Sequence, residues 1–173
     1  TPIASSAASD VYKRQAILIS MMLATEEIFS EDYNDGSLEQ TLIKNPSFSI
    51  IIVTKIFTHW LLIGLPISIL SFVFSLGTTE DLSLSLSILP LAIISSYIFL
   101  NLFVLGNALS LNKGSVLGAL VTMPLALPVL IVLGKGLIAI QLDINYQSFI
   151  FLLLGSLSII IVAIPIVVSY VIK

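Results

Sequence analysis

The side chains able to do chemistry are few, and most lie near the start of the chain. Glu26, Glu27, Glu31, Asp32, Asp35 and Glu39 place six of the ten acidic residues within fourteen positions. Such a cluster is either a solvated loop or a surface that meets basic groups on a partner protein. The residues beside it favour the second reading. Asp35-Gly36 marks a turn, and Ser37-Leu38-Glu39-Gln40 has the spacing of a capping box, in which the Ser37 hydroxyl and the Gln40 amide satisfy backbone N–H groups reciprocally. A short helix from about Leu38 to Lys44, ended by Asn45-Pro46, is a rigid element suited to sit in a groove. Leu38 and Leu42, four residues apart, share one of its faces. The candidate docking set is therefore Glu31, Asp32, Asp35, Gly36, Ser37, Leu38, Glu39, Gln40 and Leu42.

His59 is the sole histidine, hence the only imidazole available to ligate iron, and the sole tryptophan, Trp60, comes directly after it. Lys55 marks a headgroup boundary, and His59 lies about 6 Å further in, the depth at which aromatic belts sit. The expected role of His59 and Trp60 is interfacial, and contact with haem or another substrate is the alternative. Gly134-Lys135-Gly136 and Lys113-Gly114-Ser115 lack the spacing of a phosphate-binding loop, so ATP hydrolysis is not expected of this chain alone. No HExxH, paired-histidine or GxSxG pattern occurs, nor a carboxylate within an apolar run of the kind that relays protons. The absence of cysteine excludes disulfides, thiolate metal sites and covalent haem attachment through CxxCH. The reading is a protein that is not an enzyme and has no catalytic residue or metal site.

Membrane helices must position these groups. The 173 residues are 57% hydrophobic and 10% charged, with a mean hydropathy of +1.12, against roughly 45–50% and about 25% in a soluble domain. A purely soluble fold is excluded. The net charge is −3 and no basic run could neutralise a row of phosphates, so the surroundings are a lipid bilayer and nucleic acid is not a partner. A spanning helix needs about 20 apolar residues, which predicts complete spans over 56–76, 84–111, 115–140 and 148–172. Residues 16–29 reach only about 21 Å, short of the roughly 30 Å hydrocarbon core, and read as a partial span whose beginning is missing. The runs are continuous, unlike the alternating strands of about 9–11 residues in a barrel. The predicted fold class is all-α, a polytopic helical membrane protein with four complete transmembrane helices and a partial one.

Residues 1–15 differ in composition from the apolar runs of the remaining chain and are expected to be a non-native or disordered leader. Residues 16–173 form the membrane domain, in which 30–46 is a polar loop. The leader is not expected to complete the partial span, because Asp10, Lys13 and Arg14 would each cost roughly 2.5–3.5 kcal/mol near the bilayer centre. Lys44, Lys55, Lys113 and Lys173 fall on one side of the helical alternation and Lys135 lies toward the other. By the positive-inside rule that side is cytoplasmic, which puts the loop 30–46 inside and the acidic turns at 80–81 and 143 outside.

Glu26, Phe29, Asp32 and the run Asp35-Gly36-Ser37-Leu38-Glu39-Gln40, then Pro46, Lys55, His59-Trp60 and Gly64-Leu65-Pro66, resemble the signature of the cytochrome c maturation protein B (CcmB) family. Asn112-Lys113-Gly114 followed by Met123-Pro124-Leu125-Ala126-Leu127-Pro128 is similar to the same family's fourth loop and fifth span. The resemblance covers roughly residues 16–173. It implies the membrane permease subunit of a haem-exporter-type ABC transporter, a six-span bundle with both ends in the cytoplasm, set in the bacterial inner (cytoplasmic) membrane. The family's amphipathic N-terminal segment, first span and start of the second are lacking here, so the chain as written is expected to insert its last four spans without supporting cytochrome c maturation. The implied partners are an ABC ATPase subunit (A) that uses the ATP, haem-handling membrane proteins C and D, and a periplasmic haem chaperone (E). The chain itself is expected to hold no cofactor, with haem as cargo. The implied function is to couple ATP hydrolysis by the partner subunit to haem export, or to release of the haem-loaded chaperone, in cytochrome c biogenesis. A non-transporting scaffold for haem-handling proteins and an ABC permease exporting another amphiphile are the alternatives. Under this resemblance the docking set becomes the ATPase-docking surface.

Overall fold

The computed structural model describes residues 28–37, 40–41, 48–113 and 115–172. Among these the chain forms α1 (Ser30–Asn34), α2 (Phe48–His59), a wide π-helical turn (Trp60–Gly64), α3 (Leu65–Thr79), α4 (Leu82–Lys113), α5 (Ser115–Gln141) and α6 (Gln147–Ile172). Four stretches are long and apolar enough to cross a membrane: Phe48–Thr78, Leu82–Leu111, Leu120–Gln141 and Gln147–Ile172. The chain is a polytopic helical membrane protein, as its continuous apolar runs predict. The first span departs from expectation, since its helix begins at Phe48 rather than Ile56. No glycine or proline interrupts residues 48–63, and the Lys55 ammonium finds its partners within the protein, so nothing ends the helix there. Its 31 residues reach about 46 Å, well beyond a hydrocarbon core of roughly 30 Å.

Short polar turns reverse the chain. Glu80 takes a left-handed conformation (φ 55°) after α3, and its N–H donates to the Leu76 carbonyl at 3.0 Å. The next carboxylate, Asp81, then caps α4 by accepting the N–H groups of Ser83 (2.8 Å) and Leu84 (3.3 Å). At the far end of α5 the Ile144 N–H reaches the Ala139 carbonyl (2.8 Å) and the Asp143 N–H that of Ile140 (3.2 Å). With Asp143 at φ 53° this is a Schellman closure. Asn145 then accepts the Gln147 N–H at 3.1 Å and starts α6.

Helix α4 is the axis of the bundle. Of the residues in its most apolar stretch, 61% are buried, against 11–28% in the other three spans. Five consecutive residues, Ile98 to Leu102, are buried, and at about 100° per residue they face every direction around the helix. Helices α3, α5 and α6 pack around it. Outward, α5 exposes Leu120, Met123 and Leu127, and α6 exposes Phe151, Ile159 and Val162, apolar faces suited to acyl chains. Helices α4 and α5 cross closely at Gly106 and Gly118, where a Cβ on Gly106 would meet the Thr122 methyl at 2.5 Å and one on Gly118 would run into the Gly106 carbonyl. Small residues let two backbones approach where dispersion contacts, not water exclusion, hold membrane helices together.

Candidate functional site

The polar base of the molecule is built around one lysine. Ile28 and Phe29 are buried in the apolar core, 3% and 2% exposed, and α1 begins directly after them. From α2, the Lys55 ammonium donates to the Ile28 carbonyl at 2.8 Å and forms an ion pair with the Asp32 carboxylate. It also lies 5.4 Å from the centre of the Phe29 ring, within cation–π range. Three groups from one short segment thus converge on a cation 23 to 27 residues later in the chain. The Lys55 and Asp32 side chains remain 30% and 38% exposed, so solvent screening leaves the charge–charge part modest; the shared carbonyl and ring make the contact specific. Lys55 is therefore a tether between two segments, where the sequence suggested a headgroup marker.

The turn after α1 differs from the expected capping box. Gly36 adopts φ 75°, a conformation costly for residues with a Cβ, and its N–H points to the Tyr33 carbonyl at 3.4 Å. Asp35, not Ser37, supplies the cap: its Oδ1 accepts the Ser37 N–H at 2.9 Å. That contact with the Ser37 N–H is the main cause holding the exposed Asp35 carboxyl below its ordinary value of 3.8. The Ser37 hydroxyl donates instead toward the Asp32 carbonyl at 3.4 Å, which turns it away from the next helix. Ser37, Gln40 and Thr41 are helical, with the Gln40 N–H to the Gly36 carbonyl at 3.4 Å and the Thr41 hydroxyl to the Ser37 carbonyl at 2.8 Å.

Of the sequence-derived docking set, Asp32, Asp35, Gly36 and Ser37 come together in this turn, and Gln40 is exposed just beyond it. Asp32 is neutralised by Lys55, which leaves Asp35 to present its charge outward. Glu31 lies in α1, but its side chain is outside the described set. Leu38, Glu39 and Leu42 fall outside the described residues, as do Glu26 and Glu27.

His59 and Trp60 stand at the start of the wide turn. Here the Leu65 N–H donates to the Trp60 carbonyl, five residues back. Pro66 accounts for the widening, since it has no N–H and in a regular helix its ring collides with the carbonyl four residues earlier. The Trp60 indole N–H donates to the Ser96 hydroxyl of α4 at 3.0 Å. Ser68 donates to the Gly64 carbonyl at 2.8 Å and lies 3.1 Å from Ser96, and the Tyr97 ring meets the indole edge-on at 5.2 Å. Gly64 is buried against the indole, and a Cβ there would lie 3.0 Å from its nitrogen and nearer still to its Cδ1. The run from His59 to Pro66 thus fastens the first span to the central helix. Ser68 and Ser96 escape sequence reasoning because serines are scattered through three of the four spans. His59 is half-exposed beside this junction. Among the described residues no three His, Cys, Asp or Glu side chains gather as metal ligands.

Comparison with known proteins gives one consistent result. The family described as CcmB protein matches residues 3–172. Heme exporter protein B of Haemophilus influenzae is 32% identical over 133 residues, 76% of this chain and 60% of that protein. Heme exporter protein B of Pseudomonas aeruginosa is 32% identical over 134 residues, 74% of this chain and 58% of the relative. The protein of the same name in Escherichia coli is 41% identical over 56 residues, 32% of this chain and 26% of the relative. The chain spans about three-fifths of the length of the first two relatives.

Proposed function

Because the chain belongs to the CcmB protein family, we propose that it is the membrane subunit of an ABC-type complex that serves cytochrome c biogenesis. The relatives are named heme exporter proteins, and haem is the cargo of the reading. A separate ATPase subunit hydrolyses ATP, and the segment 30–46 receives it on the cytoplasmic side. The membrane proteins C and D and the periplasmic chaperone E complete the assembly in the inner membrane. The family match over nearly the whole chain carries this reading. The base geometry supports it: an exposed Asp35 turn stands on a segment tied to the first span through Lys55.

Buried polar groups favour mechanical coupling to release of the loaded chaperone over passage of haem through one bundle. Asn101 donates to the Tyr97 carbonyl at 2.8 Å and Thr122 to the Gly118 carbonyl at 2.9 Å, so both have hydrogen-bond partners on their own helices. Co-purification tests the docking role. Leu38→Asp with Leu42→Asp, introduced in the complex, should lower recovery of the ATPase subunit at least tenfold. Unchanged recovery overturns the assignment of 30–46.

A further inference from the structure

We propose that Lys55 is a positioning residue that latches the ATPase-docking segment to the first span, so that displacement of the segment is passed to α2. The inference rests on the docking role proposed for residues 30–46. Its basis is the convergence of a carbonyl, a carboxylate and a ring face from Ile28, Asp32 and Phe29 on one ammonium.

Geometry makes this contact the link between the segment and α2. Ile28 and Phe29 are anchored in the core, and α1 packs on the central helix α4, so the segment has a fixed foot. Lys55 lies on α2 one helical turn before His59 and the wide turn, so a pull on its ammonium acts on the helix just ahead of the Trp60–Ser96 junction. The Asp35 turn and Gln40, on the far side of Asp32, are exposed. A partner pressing there acts on α2 through the contact of the Ser37 hydroxyl with the Asp32 carbonyl and the Asp32–Lys55 pair. A lysine serving only as a headgroup anchor needs none of the three contacts, and its loss should be indifferent to the state of Asp32.

The test is a double-variant cycle in the full-length protein within its membrane-embedded complex with the ATPase, reading both ATPase recovery and holo-cytochrome c formed. Lys55→Met and Asp32→Asn should each lower holo-cytochrome c at least tenfold while the ATPase co-purifies within twofold of the parent. The combined variant should be no worse than the poorer single one, since both break the Asp32–Lys55 contact. Lys55→Arg, which keeps a cation able to pair, should recover maturation to within threefold of the parent. If Lys55→Met fails to reach the membrane, Asp32→Asn against Lys55→Arg decides alone. Wild-type maturation in Asp32→Asn, or losses that multiply in the combined variant, overturns the latch and leaves Lys55 as a lipid anchor. The docking reading fails separately, through unchanged ATPase recovery in the Leu38 and Leu42 variant.

Discussion

At the scale of single residues, the turn at Asp35 shows how an exposed carboxylate sets a local start without burial. Its oxygen accepts the Ser37 N–H, which favours the charged form and lowers the pKa below 3.8. A depressed folded value contributes stability that is complete above pH 3.8 and lost as the pH falls through the lower folded value. The turn should therefore be insensitive to pH across the physiological range and loosen only in strong acid. A carboxyl NMR titration should place the Asp35 midpoint under 3.8, and Ser37→Ala, which keeps the N–H, should leave most of that depression in place. A midpoint at or above the ordinary value in the parent contradicts the assignment. The sequence announces a cap here but not its owner, because Asp and Ser both cap well. The choice depends on where the Ser37 Oγ is held, and the Asp32 carbonyl to which it donates has no sequence signal. Lys55 is illegible for a similar reason: an isolated cation in an apolar run reads as an interface marker whether or not a carboxylate 23 positions earlier folds back on it.

Among the elements, the joined first span carries the most specific chemistry. Pro66 widens the helix, Gly64 makes room for the Trp60 indole, and Ser96 receives its N–H. Each part depends on the others, so replacing one should propagate. Gly64→Ala sets a methyl against an aromatic ring that is itself hydrogen-bonded, and overpacking of this kind costs about 1–3 kcal/mol. Gly134→Ala is the matched control: it also lies inside a spanning helix, but nothing stands within 4 Å of its Cβ position, and helix propensity makes it neutral or stabilising by up to about 1 kcal/mol. In detergent, the first variant should melt several degrees below the parent with altered emission from the single tryptophan, and the second should not. Equal melting of the two variants would remove the indole from its place against Gly64. The lengths of α4, α5 and α6 were legible because hydropathy and polar turns set them, and their ends lie within two residues of expectation. The wide turn was not, since a proline inside an apolar run is equally compatible with a kink.

The whole molecule puts polar groups at its two ends and the most enclosed helix in the middle. The last span, not α4, is the most apolar of the four, so the central place of α4 was not apparent from apolarity. Its serines and asparagines are the better guide, because polar side chains inside hydrocarbon must find partners within the protein; Ser95, Ser96 and Asn101 are all buried. The alternation of spans sets Lys55 and Lys113 at one end and the Glu80, Asp81 and Asp143 turns at the other, with Lys135 six residues before the end of α5. Positive charge is retained on the cytoplasmic side, so the base that holds Asp32, Asp35 and Lys55 should face the cytoplasm, where an ATPase can reach it. The chain has no cysteine, which permits a direct reading with single introduced thiols. Glu80→Cys and Gln141→Cys should react in intact cells with a maleimide that crosses the outer but not the inner membrane, whereas Asn34→Cys should react only after the inner membrane is opened. Labelling of Asn34→Cys in intact cells would invert the molecule. The docking surface and the Lys55 latch would then both face away from ATP, and neither role could stand.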